Sequence, residues 1–143
     1  MTWLSRARGV TRWSAREWAL MAEAWLALLV ARVAVRFLRL PEVLERLQRW
    51  SRFRAAPAES AMLARAVWRA AALHALPMLC LPRSLALAWM LARRGQPCEI
   101  IIGAQPKGGT LDAHAWIEQD GVPINSPADS AQSFPVLLRH PVT

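Results

Sequence analysis

Two side chains in this sequence are of the types a cysteine nucleophile requires. Cys80 stands in Pro77-Met-Leu-Cys-Leu-Pro-Arg-Ser-Leu-Ala-Leu87, and His114 in Ala113-His-Ala-Trp-Ile-Glu118. The first segment places the thiol where a helix begins, and the second places the imidazole in a short alternating strand. A helix N-terminus favours the thiolate, which is the attacking species. The chemistry is thiolate attack on a carbonyl, an acyl-enzyme, and hydrolysis, with the imidazole as base and a third group holding its tautomer. His114 is the candidate base because His74 lies near a helix end and His140 in the tail. Cys98 reads as a small buried side chain, and its distance in sequence from Cys80, with no nearby histidine, is no zinc spacing.

The third group is open at this level. Alternation puts His114, Trp116 and Glu118 on one strand face. Glu118 is about 13 Å along the strand from His114, too far to orient the ring. A two-residue turn at Asp120-Gly121 sets Asn125 opposite Trp116, a diagonal neighbour of His114 at roughly 7–8 Å between backbones. A three-residue turn brings Ser126 there and turns Asn125 away. Asp129 is a further candidate on a loop the sequence does not place.

The elements that must position these groups follow from periodicity. Glu17 to Leu40 has helical spacing, with Leu26, Leu29, Val30, Val33 and Phe37 as the packing stripe and Arg32, Arg36 and Arg39 as a solvated stripe. Pro41 suits the first turn of a second helix, supported by Glu42–Arg46 and Glu45–Arg49, with Leu44, Leu47 and Trp50 buried. After a break at Arg54-Ala-Ala-Pro57, Ala58 to about Leu76 forms a third helix that buries Leu63, Val67, Ala70 and Ala71. Pro77 ends it. Pro82 fits the first turn of a fourth helix, and Arg93-Arg94-Gly95 closes it, leaving Cys80 at the N-terminal edge. Glu99 to Gly103 is a buried strand, Gln105 to Thr110 a flexible loop, and Ala113 to Gln119 and Val122 to Asn125 a hairpin whose Pro123 argues for an edge. Ser126 to Thr143 reads as mostly irregular. Helices first and a small antiparallel sheet after them make an α+β fold, and 143 residues suffice for one domain with its own core.

The formal charge is +8, and residues 1–54 hold eleven Arg and four Glu, so +7 of it sits there. Such a surface suits an acidic partner, but no zinc-finger spacing or nucleic-acid-reading motif accompanies it, and nucleic acid is not the expected ligand. Arg6, Arg8, Arg12 and Arg16 ahead of an apolar segment imitate a targeting signal. Glu17, Glu23, Arg32 and Arg36 interrupt that segment, no cleavage site follows, and the uncharged run Ala24–Ala31 is far short of the ~20 residues of a membrane span. A cytoplasmic protein without a membrane span is expected. No phosphate-binding loop is present, and neither a cofactor nor a metal is expected.

Taken in order, Cys80-Leu-Pro-Arg-Ser-Leu-Ala-Leu87, Leu91-Ala-Arg-Arg-Gly95, Ile102-Gly103 and Ala113-His-Ala-Trp-Ile-Glu-Gln-Asp-Gly121 resemble the lasso-peptide biosynthesis B2 family, part of the transglutaminase-like, papain-related superfamily. The motifs cover Pro77 to Asn125; the helical N-terminal half fits the family in length and character only. The resemblance implies a cysteine leader peptidase with Cys80 as nucleophile and His114 as base. Its substrate is a ribosomally made precursor peptide, delivered by a separate leader-recognition B1 protein. An asparagine-synthetase-like, ATP-dependent cyclase then closes the macrolactam. It also implies one domain, 1–143, with a helical part at 1–57 and a transglutaminase-like core at 58–143. The family often carries an acidic residue just after the Asn that ends the hairpin; here that position is Ser126. Asn125 serves as the third member, or Asp129 does, or the pair works with a weaker orienter. Arg32, Arg36, Arg39, Arg46 and Arg49 are the expected docking surface. Two other readings compete: a transglutaminase-like acyltransferase using the same pair on an amine, and a non-catalytic basic module that binds a precursor or partner.

Overall fold

A long, largely apolar helix comes first among the described elements. The computed structural model describes residues 12–143, and Arg6 and Arg8 of the basic N-terminal run lie outside them. Helix α1 (Ala15–Phe37) begins at a capping box: Ser14 Oγ accepts from the Glu17 N–H, and Glu17 accepts from the Ser14 N–H. Its buried face is Leu20, Met21, Ala24, Ala27, Leu28 and Ala31. This corrects the stripe read from the sequence, because Leu26, Val30, Val33 and Phe37 are exposed. The buried face of α1 mixes Leu20, Met21 and Leu28 with three alanines and packs on α3 (Ser60–Ala72), which buries Leu63, Ala66, Val67, Ala70 and Ala71, so the contact lies on a different stripe from the one the large apolar residues suggest.

Helix α2 (Leu40–Trp50) has its proline in the first turn and the Glu45–Arg49 ion pair at 3.0 Å. Glu42 turns back to accept from the Arg39 N–H instead of reaching Arg46. Val43, Leu44 and Leu47 are buried, whereas Trp50 remains 40 % exposed. Helix α4 (Cys80–Ala92) lies at the centre, against α1 and α3 on one side and the sheet on the other, with Leu87, Met90 and Leu91 fully buried. It ends at Gly95, whose φ of +67° suits a residue without Cβ. Glu23, midway along α1, is held 2.8 Å from Arg93 and 2.7 Å from Arg94, so a charge in the apolar segment is anchored to the end of α4. Among the described residues α1 alone is long and apolar enough to cross a membrane by length and composition. In the fold it packs on α3 and α4.

The sheet has the order β3-β2-β1-β4 and is antiparallel throughout. Strands β1 (Cys98–Lys107) and β2 (Thr110–Gln119) form a long hairpin turned at Gly108-Gly109, so Gln105 to Lys107 are strand and only the two glycines are loop. Pro106 is tolerated there because β4 has stopped pairing with β1 beyond Gly103. The second turn is the two-residue form, Asp120 (φ 51°) and Gly121 (φ 76°), leading into β3 (Val122–Pro123) at the sheet edge. The tail is not irregular as expected. A short helix α5 (Ser130–Ser133) crosses over, and β4 (Val136–Val142) pairs with the open side of β1. Prolines at 135 and 141 hide this strand from pattern reading; the unpaired edge of β1 selects it. Ile100, Ile117 and Val142 face the helical core, while Ile101 and Trp116 are buried outside that cluster. The fold is α+β, with four principal helices on a small antiparallel sheet.

Candidate active site

Cys80 is the first residue of α4. Leu79 ahead of it is extended (φ −79°, ψ 177°) and offers no side-chain cap, and Pro82 has no N–H to place. The thiol is half-buried and free. One turn further on, Ser84 is fully buried and donates 3.1 Å to the carbonyl of Ala115. Ser84 is thus four residues from Cys80, and its acceptor is the residue next to His114. This bond ties the start of α4 to the part of β2 that carries the imidazole.

Asn125 completes the tie. Its Oδ1 accepts from the Ile117 N–H at 2.8 Å, continuing the β2 ladder past the end of β3, and its Nδ2 donates to Ser84 Oγ at 3.3 Å. The two-residue turn sets this register. Both halves of the amide are therefore committed to the backbone of β2 and to α4. Cys80, His114 and Asn125 open onto one cleft of about 300 Å³, with Met78, Leu79 and Arg83 on the α4 side and Ala115 on the strand. Arg83 lines it as well, and its buried Nε has no hydrogen-bond partner among the described residues.

His114 is half-buried between two rings, Trp116 at 5.5 Å and Phe134 at 5.1 Å. Its Nε2 lies 2.8 Å from Ser126 Oγ. Burial holds its pKa below the ordinary 6.5, against the opposing charge of Asp112. Phe134 reaches the ring because its loop crosses directly over Gly103, the cross-strand partner of His114. A Cβ at Gly103 would stand 2.5 Å from the Phe134 carbonyl oxygen. Asp129 lies exposed at the start of α5, and the ring's partner is Ser126.

The remaining expected residues are accounted for by packing. Glu118 is 4 % exposed and binds Trp116 Nε1 at 3.0 Å and Arg139 at 2.9 Å, a structural pair further along the strand face that carries His114. His74 stacks on Trp25 at 4.4 Å. Cys98 is buried, and burial together with the Glu99 charge pushes its thiol up to about 12, which leaves it inert. A larger groove, about 1070 Å³, runs between α2 and β4 past Arg52, Arg54 and His140 but holds no nucleophile. Among the described residues no group of three or more His, Cys, Asp or Glu is placed to hold a metal ion. Pattern reading missed Ser84, although it lies in the Cys80 segment; a serine one turn after a helix-start cysteine is the only signal. It also missed Ser130, treated below.

Residues 22–139 match the model of the transglutaminase-like superfamily, a range that takes in most of α1 and all of α2 as well as the cysteine helix and most of the sheet. Comparison with curated proteins and with solved structures gives no match.

Proposed function

Since the chain belongs to the transglutaminase-like superfamily, we propose that it is a cysteine peptidase that removes the leader from a ribosomally made lasso-peptide precursor. The observation that carries the chemistry is that Cys80, a free thiol at the first residue of α4, and His114 line the same cleft. The likeness of the Cys80, Gly95, Gly103 and His114 segments to the lasso-peptide B2 family supplies the substrate class.

In this mechanism His114 takes the proton of Cys80, and the thiolate attacks the scissile carbonyl at the leader–core junction. The uncapped start of α4 leaves the Cys80 N–H free to donate to the oxyanion. His114 returns its proton to the leaving amine, which is the N-terminus of the core peptide. Water, deprotonated by the same imidazole, then hydrolyses the thioester and releases the leader as a carboxylate. Asn125 supports the pair by fixing β2 against α4. The free amine suits the macrolactam-forming step of an asparagine-synthetase-like cyclase, and a B1 recognition protein delivers the precursor. Of the five arginines assigned to docking, Arg32 donates to the Pro77 carbonyl and Arg49 pairs with Glu45. Among the described residues Arg49 is the one of the five whose charge is paired, and Arg32 keeps its charge but is turned to the backbone, leaving Arg36, Arg39 and Arg46 to meet a partner. Two free cysteines suit a reducing cytoplasm.

The test incubates the protein with a candidate precursor and its recognition partner and follows mass. Cleavage by wild type and its loss in both Cys80→Ala and His114→Ala is the expected result. Cleavage that survives Cys80→Ala overturns the nucleophile, and transfer of the acyl group to an added amine in place of hydrolysis overturns the peptidase assignment.

A further inference from the structure

We propose that Ser126 and Ser130 form a neutral relay that sets the tautomer of His114, standing where an acidic third residue would otherwise orient the ring. Three hydrogen bonds fix the protons in turn. Ser130 Oγ lies 2.6 Å from the carbonyl of Pro127, which can only accept, so the single hydroxyl proton of Ser130 points there. Ser126 Oγ lies 2.6 Å from Ser130 Oγ, whose proton is already used, so Ser126 is the donor in that bond. Ser126 then has only lone pairs left for the imidazole 2.8 Å away, and His114 Nε2 must carry the proton. In the neutral ring Nδ1 is left with the free lone pair, the state a general base for Cys80 requires.

The direction of the chain is set at its far end, by a carbonyl that cannot donate. Ser130 is 3 % exposed and Ser126 half-buried, so water competes poorly for these bonds. The charged groups near the ring are Asp112 on its own strand and Arg83 on α4 across the cleft; Glu118 on the same strand face is paired with Arg139. Neither serine carries charge, so the relay orients the base without stabilising an imidazolium, in contrast to a carboxylate at the same place. Ser126 and Ser130 are thus positioning residues that act through His114. The consequence for catalysis rests on the peptidase reading, but the tautomer is a property of the resting protein.

Long-range proton–nitrogen correlation spectra of histidine-labelled protein, recorded above the imidazole titration, report which ring nitrogen of His114 is protonated. Wild type is expected to show a single Nε2–H tautomer. Ser130→Ala removes the acceptor for the Ser126 proton, frees that hydroxyl to donate to Nε2, and shifts population toward Nδ1–H. Alkylation of Cys80 by iodoacetamide slows with it by about tenfold. Ser126→Asp keeps the Nε2–H tautomer and moves the acid limb of the alkylation profile to higher pH. A wild-type Nδ1–H tautomer overturns the relay, as does an unchanged tautomer in a folded Ser130→Ala. A relay that behaves as described in a protein that cleaves no precursor leaves the inference standing and refutes the peptidase reading instead.

Discussion

Replacing Asn125 with alanine separates a residue that holds the site together from one that takes part in its chemistry. The substitution deletes the acceptor of the Ile117 N–H, a part-buried bond of 2.8 Å between buried Ile117 and exposed Asn125, and the donor to Ser84 Oγ at 3.3 Å. An orphaned buried amide costs about 1–3 kcal/mol, and the longer Asn–Ser bond contributes roughly 0.5–1.5 kcal/mol. Ser84 keeps its own acceptor at Ala115, so no second orphan is created. The expected loss is about 2 kcal/mol, which corresponds to roughly 4–8 °C in Tm for a chain of this size. Asn125→Asp retains the acceptor for Ile117 and loses only the contact to Ser84, so its cost is about 1 kcal/mol or less. Urea unfolding measures both, and iodoacetamide alkylation of Cys80 at low temperature, where each variant is folded, measures the site. The anchoring role requires the stability order wild type, Asp, Ala, with alkylation in the alanine variant within about fivefold of wild type. A fully stable Asn125→Ala whose Cys80 has lost its reactivity would refute the reasoning and make Asn125 the group that orients His114.

Gly103→Ala forces a methyl into the Phe134 backbone, which must move away from the His114 ring. Overpacking of this kind costs about 1–3 kcal/mol, and the Nε2–Ser126 bond should weaken with it; an unchanged histidine spectrum would show that the loop does not need this glycine. Glu23→Ala leaves the guanidinium of Arg94, 3 % exposed at its side chain, without its carboxylate. Thermal unfolding should register a loss of about 3 kcal/mol, and a loss below the error of the measurement would mean that Arg94 is satisfied by backbone carbonyls alone. Because burial depresses the His114 pKa, the neutral base persists below pH 6.5, and the acid limb of Cys80 alkylation should lie under that value. The same depression means the fold loses stability as pH falls through the unfolded value toward the folded one. Intact mass should show one alkylated cysteine in native protein and two in denaturant, since the thiol of Cys98 is pushed up to about 12.

The legible part of this sequence is the part written in single residues with one meaning. Pro82 and Gly95 bracket α4 and put Cys80 at its start, and Asp120-Gly121 sets the register of β2 and hence the face of His114. The faces of α1 are hard to read because large apolar residues lie on both its buried and its exposed side. Its buried face interleaves Ala24, Ala27 and Ala31 with Leu20, Met21 and Leu28, while Leu26, Val30, Val33 and Phe37 are left outside. Strand β4 was missed because it carries Pro141 and alternates poorly; only the open edge of β1 gives those residues a partner.

The relay was illegible for a different reason. Serine at 126 and serine at 130 are ordinary loop residues, and nothing in their spacing distinguishes a turn from a proton chain. What makes them a chain is the loop that crosses Gly103 and folds into the one turn of α5, so that Ser126, Ser130 and the Pro127 carbonyl meet beside the ring. A carboxylate at 126 would have stood out in the sequence, and would have carried its own charge to the imidazole. A serine carries none, and its orientation is supplied by the next hydroxyl and finally by a backbone carbonyl. The base in this site therefore depends on the closure of a loop, and the same loop that hides the third residue from sequence reading is what gives His114 its tautomer.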